Sequence, residues 1–183
     1  MVWIKELEMD SKLFIKITSL SFFAFTLLIG CAVPVRVAIE PPGRMEGFMS
    51  ARWGASVEEC KQAIEMDGNK WFQDRTEEPS HALYAFGAYL DHPAIFSYFF
   101  TPKLKKLYRV DVTFSDFKGY EEAKIDLIQK FKKPTFSQKD VDHWSWEDKS
   151  LVILQRDAIN AQISFSNGPL LELNQKEGGL LGK

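Results

Sequence analysis

The side chains best equipped for chemistry in this chain are few: Cys31, Cys60, His81, His92 and His143. No histidine stands at metal-ligand spacing from another histidine or from Cys60. Asp91-His92 and Asp142-His143 are sequence neighbours, so on a strand each pair would point to opposite faces. A Gly-rich phosphate loop, a G-x-S-x-G elbow and an H-E-x-x-H pair are all lacking. The carboxylate pairs Glu58-Glu59 and Glu121-Glu122 fall in the first turns of two predicted helices, where they complement the helix dipole. The expectation is therefore no catalytic residue, no cofactor and no metal. The competing reading is an enzyme whose site the fold assembles from scattered residues such as His143 and Asp116.

Cys31 is different because of what precedes it. Lys12 and Lys16 lead into an apolar run over residues 17–29, and the run closes on Leu27-Leu28-Ile29-Gly30-Cys31. A positive flank, a short apolar core and a small residue at a cut site make the layout of a secretory signal peptide. Counted from Met1, the flank carries Lys5, Lys12 and Lys16 against Glu6, Glu8 and Asp10, with no net positive charge. Counted from Met9 it is positive, so translation is expected to start there. The ending Leu-Ile-Gly-Cys resembles the lipobox of bacterial lipoproteins. That resemblance implies acylation of Cys31, palmitate among its chains, and cleavage before it, with residues 1–30 as the leader. Two readings stand beside it: an uncleaved transmembrane helix, since residues 17–33 are about the minimum that spans a bilayer, and a buried core helix. With Ala32 rather than aspartate after the cysteine, the lipoprotein resemblance implies an outer-membrane location, facing the periplasm, in a cell that has one.

The charge balance excludes one class of partner. The chain has 23 basic and 25 acidic residues and a formal net charge of −2. The basic pairs Lys105-Lys106 and Lys132-Lys133 are too short for the stripe that nucleic acid requires. Acylation of Cys31 would leave Cys60 without an intramolecular partner. Cys60 lies on an apolar helical stripe with Val57 and Ile64, so it is expected to be buried.

The elements that would position these residues follow from pattern. Residues 31–47, with Pro34 and Pro41-Pro42-Gly43, suit a tether. Ser56-Val57-Glu58-Glu59 is a capping box that opens a first helix, and Asp67-Gly68-Asn69 stops it. Strands are expected over 71–76, 81–90, 94–100 and 108–114. Tyr120, Ala123, Leu127, Ile128 and Phe131 make the stripe of a second helix. Strands then return over 141–146, 151–156 and 161–166, and Asn167-Gly168-Pro169 closes the fold. The result is an α+β domain over 48–173: two helix-plus-antiparallel-strands repeats, 50–114 and 117–166, forming one sheet with two helices packed on one face. Residues 174–183 are expected to be a flexible tail.

Trp53-Gly54-Ala55-Ser56-Val57-Glu58-Glu59 and the strand near residues 106–114 resemble the opening helix and following strand of the β-lactamase inhibitor protein repeat, which also occurs as a single copy in small lipoproteins of outer-membrane assembly. The resemblance implies an exported, non-catalytic module that binds another envelope protein. An inhibitor of an envelope hydrolase is a further reading on that analogy. Aromatic side chains on a second, uncovered sheet face would make the binding surface. Trp144 and Trp146 share a face of one hairpin and are its possible anchors; the alternative places them in the core.

If the lipobox reading is right, Cys31→Ser releases the protein from membranes and abolishes palmitate labelling, because a single chain already holds only marginally and none holds at all. Fractionation and metabolic labelling of cells check this.

Overall fold

The computed structural model describes Pro41, Gly43 and residues 45–179. Met9, the leader, Cys31 and the tether up to residue 40 lie outside the described residues. Elements run in the order β1 (Gly47–Phe48), β2 (Ala51–Arg52), α1 (Val57–Met66), β3 (Lys70–Arg75), β4 (Ala82–Tyr89), β5 (His92–Phe100), β6 (Leu107–Phe114), α2 (Phe117–Phe131), β7 (Phe136–Gln138), β8 (Val141–Ser145), β9 (Leu151–Arg156), β10 (Ala161–Ser166) and α3 (Gly168–Lys176). The architecture is α+β. Eight antiparallel strands form a sheet in the order β3-β4-β5-β6-β10-β9-β8-β7, and β1 and β2 form a separate two-stranded hairpin.

Local chemistry sets the helices. Ser56 caps α1: its hydroxyl accepts from the Glu59 amide while Glu59 Oε2 accepts from the Ser56 amide at 2.7 Å, so two orphan donors are satisfied. Asp116 caps α2 by accepting from Gly119 N at 2.9 Å. Gly119 is required by packing, since a Cβ there would stand 2.5 Å from the Phe114 ring. Asn167 caps α3, with proline at its start. Asn167-Gly168-Pro169 thus begins a helix where the sequence suggested an end. The expected flexible tail is ordered through Gly179: Asn174 is buried, and Glu177 accepts the amides of Lys103 and Leu104.

Alternation sorts the sheet residues onto two faces. Leu83 and Ala85 of β4, Phe96 and Tyr98 of β5, Val110 and Val112 of β6, Ile163 and Phe165 of β10, and Val152 and Leu154 of β9 are all buried. They share one core with Cys60, Ala63 and Ile64 of α1 and with Tyr120, Ala123, Leu127 and Phe131 of α2. Phe48 fills the middle of it, with ring centroids 5.1 Å from Phe165 and 5.9 Å from Tyr89. The fold therefore starts before residue 48: Met45 is buried, and the Gly43 carbonyl accepts from Trp146 Nε1 at 2.7 Å.

Three further differences from the sequence expectation have plain causes. The β4–β5 turn is the two-residue Leu90-Asp91, both at positive φ as a tight hairpin requires, so His92 belongs to a strand rather than a turn. The short edge strand β7 was not expected, because its three residues are all exposed and show no alternation of burial. Trp144 and Trp146 are core, not surface. Trp144 lies opposite Val152 on the helix-facing side, is fully buried, and donates from Nε1 to Lys132 O at 3.0 Å. Trp146 meets Phe131 edge-on at 5.2 Å.

Leu127→Ala is expected to cost roughly 2–5 kcal/mol, the range for a fully buried leucine. Ile125→Ala, two residues away on the exposed side of α2, should stay within about 0.5 kcal/mol. Urea midpoints of the two variants test which stripe of α2 faces the sheet.

Candidate functional site

α1 and α2 pack their core residues against one face of the large sheet and leave the other face clear of them. On β4 and β5 that other face carries Tyr84, Phe86, Ile95 and Phe99, because Phe86 pairs with Ile95 and Tyr84 with Ser97 in the register. A register shift between Trp71 and Gln73 of β3 brings Phe72 onto the same surface. Its ring lies 6.0 Å from Phe86 and 6.4 Å from Tyr84. Phe72, Phe86 and Ile95 are 52%, 50% and 49% exposed. Three large apolar side chains, adjacent and half in water, form a contiguous patch rather than scattered singles.

A charged group holds the centre of this face. Arg109 Nε donates to Asp111 Oδ1 at 2.6 Å and its Nη2 to Oδ2, a bidentate pair within one strand. Ser164 Oγ on β10 donates to Asp111 Oδ1 at 2.7 Å, which ties the pair across the sheet. Burial alone would lower the Arg109 pKa, but the Asp111 carboxylate raises it. The guanidinium carbon stands 5.2 Å from the Phe99 ring centroid. Beyond the centre lie Phe136, 45% exposed, and His143, whose rings are 5.2 Å apart. Burial lowers the His143 pKa against the pull of Asp142, which favours the uncharged ring.

The scattered residues of the enzyme reading do not come together. His143 lies on the uncovered face, whereas Asp116 caps α2 on the helix side and faces His92. His92 is buried between two carboxylates: Nε2 is 3.0 Å from Glu122 Oε2 and Nδ1 is 3.7 Å from Asp116 Oδ1. The carboxylates address different ring nitrogens, so the three groups do not converge on one point. Among the described residues no cluster of histidine, cysteine, aspartate or glutamate suits a metal ion. Sequence reasoning treated His92 as a turn residue; the arrangement latches the β4–β5 hairpin to the first turns of α2. Asp142 is buried on the helix side, 2.8 Å from Lys124 Nζ, and accepts from Ser137. An open polar depression of about 370 Å³ lies between Ser50, Arg52, Trp53, Glu59 and Lys106, where Glu59 is committed to the α1 cap.

Cys60 is fully buried, as its stripe implied. Burial, with a smaller contribution from the Glu59 charge, pushes its thiol up to about 12. The thiolate is the nucleophile, so this cysteine is chemically silent at neutral pH. Asp74 moves the other way. Burial pushes its carboxyl up, but Thr76 and Lys61 together hold it down at about 2.

The sequence offered one signal for the aromatic patch and no way to orient it. Apolar residues occupy both parities of β5, His92–Phe100, so alternation alone does not say which set faces the core. No family model, no curated protein and no solved structure matches this chain.

At pH 8 a disulfide-exchange reagent should leave Cys60 unmodified in the native protein and modify it promptly in denaturant. The linked effect on stability has a definite sign. Above the unfolded thiol pKa of about 8.5, the unfolded chain loses a proton the folded chain keeps, so this group makes stability fall as pH rises toward 12. Asp74 gives the opposite slope in acid, where its contribution is lost as pH falls from about 4 toward 2. Asp74→Asn should flatten the acid limb of a thermal-melt series.

Proposed function

We propose that this chain is a lipid-anchored bacterial envelope protein that acts as a non-catalytic protein-binding module, and that the uncovered sheet face is the binding surface. The observation that carries the reading is the patch of Phe72, Phe86 and Ile95, half exposed and adjoining Tyr84 and Phe99. Covering it would stabilise a complex by about 1 kcal/mol for each of the three half-exposed side chains. The central Arg109–Asp111–Ser164 group would set register through a polar contact beside an aromatic anchor, as hot spots do. The anchor is a property of Cys31 and its leader, and is read from the sequence. Among the described residues no helix is long and apolar enough to cross a membrane.

The same reading makes the domain a duplication. One half runs α1 and then β3 to β6; the other runs α2 and then β7 to β10. In the sheet the halves meet through their last strands, β6 and β10, and run outward in mirrored order to β3 and β7. This order supports two copies of one helix-and-four-strand unit, with the shorter β7 as the main departure. Trp144 and Trp146 have no place in the binding surface, being core.

A photo-crosslinking side chain placed at Phe86 in cells that make the protein should give a discrete protein adduct. The same group at Ile125, on the outer side of α2, should not. Phe72→Ser with Ile95→Ser should remove the adduct while leaving membrane attachment and thermal stability in place. Equal adducts at both positions, or none at Phe86, would end the reading of this face.

A further inference from the structure

The two ends of the large sheet differ in a way that the binding face does not explain. Ser145 of β8, Leu151 of β9, Ser166 of β10 and Arg109 of β6 are successive partners, so one end of the sheet gathers Trp146, the loop over 101–106 and the start of α3. The chain also enters the fold here, through the hydrogen bond from Trp146 to Gly43 and that from Gly54 N to Leu107 O. The other end carries the β4–β5 hairpin and the turn over 157–160. The eight residues of β6 separate the two ends by about 24 Å.

The loop over 101–106 is Thr-Pro-Lys-Leu-Lys-Lys. Leu104 at its tip is 60% exposed. Every amide from Lys103 to Lys106 already has a partner within the protein. Lys103 N and Leu104 N donate to Glu177 Oε2 at 2.6 and 3.2 Å, Lys105 N to Thr101 O at 3.2 Å, and Lys106 N to Thr101 Oγ1 at 3.2 Å. The amides of this tip lose no hydrogen bond when water leaves them, which favours entry into a lipid interface. Of its acidic neighbours, Glu177 is taken by the loop amides, Glu77 by Lys105 and Glu59 by Ser56, while Glu147 and Asp148 follow Trp146 at the same end. The Lys103 charge acts on the Glu177 carboxylate, and Arg52 lines the depression that Lys106 also borders.

We propose that this end of the domain rests on an anionic bilayer surface, with Leu104 in the headgroup layer and Lys103, Lys106 and Arg52 against lipid phosphate. The inference rests on the lipid-anchor reading of Cys31. Twelve chain steps lead from Cys31 to Gly43 and span at most about 40 Å, and Gly43 is fixed at this end of the sheet. Anionic lipid adds an attraction of about 1 kcal/mol per basic residue near the surface. The opposite end has its own exposed tip, Ile159 at 82%, whose amide also has an internal partner. That tip is built on Asp157, which anionic lipid repels, and it lies a strand length from the chain's entry. In this orientation the uncovered sheet face stands along the bilayer normal and stays open to a partner.

The test uses the full chain, purified from membranes and placed in phosphatidylcholine–phosphatidylglycerol vesicles that contain a headgroup nitroxide lipid. An environment-sensitive thiol dye is attached at Leu104→Cys or at Ile159→Cys; Cys60 is silent and an acylated Cys31 has no free thiol. The dye at 104 should be quenched several-fold more than the dye at 159. Lys103→Glu with Arg52→Glu should reduce that quenching without reducing flotation. Vesicle-bound protein with equal quenching at the two positions, or more at 159, overturns the orientation alone. Protein that fails to float, with Cys31 open to the dye, overturns the anchor reading and this proposal with it. An adduct-forming sheet face is scored separately, by the crosslinking at Phe86.

Discussion

The pairing of β6 with β10 is the interaction on which the rest depends. Six residue pairs in register, from Phe114 opposite Ala161 to Arg109 opposite Ser166, join two four-stranded groups that would otherwise be separate sheets. Val110, Val112, Ile163 and Phe165 from this seam face the helices and are buried. Asp111 and Ser164 from the same seam face the other way and hydrogen-bond across it. The pairing therefore builds the middle of the core and the polar centre of the uncovered face at once. Neither group alone could do this, because a sheet of four strands with one helix leaves the inner edge of its apolar face in water.

A sheet with one covered face usually alternates apolar and polar residues cleanly. Here β6 and β10 do so, while β4 and β5 do not. Phe86 and Ile95 occupy positions that a solvated face would give to threonine or lysine. Each exposed aromatic weakens the case for a face that meets only water and raises the tendency to associate. The bulge in β3 at Phe72 fits this setting: it adds a ring to the patch and breaks the regular edge that would template another strand.

Much of the fold was legible in the sequence where the deciding interaction is local. The Ser56–Glu59 capping box is four residues long and gave the start of α1. The Cys60–Ile64 and Tyr120–Phe131 stripes gave the buried faces of both long helices, except that Ile128 is exposed, and strict alternation gave β6. What was not legible depends on distant partners. Trp144 and Trp146 were rightly placed on a common face, but which face is decided by carbonyls 12 and 103 residues away. Asn167-Gly168-Pro169 has the composition of a turn and of a helix start alike, and only the packing of α3 against β6 separates the two. The aromatic patch was hidden because β5 is apolar at both parities. His92 and Asp116 were noted singly, since nothing in their spacing announces that a tight hairpin and a helix cap bring them together.

The hydrogen bond from Trp146 to the Gly43 carbonyl has a mechanical meaning. Among the described residues, tension carried along the leading segment meets the buried Pro41, then this hydrogen bond, and next Met45 and Phe48, held by packing and by a hairpin of only two residue pairs. Phe48 is the plug of the core. A pull strong enough to draw it out would uncover Tyr98 and Phe165 while the eight strands were still paired. Load on the leash is thus converted first into a hole in the hydrophobic interior, well before the sheet itself is asked to yield.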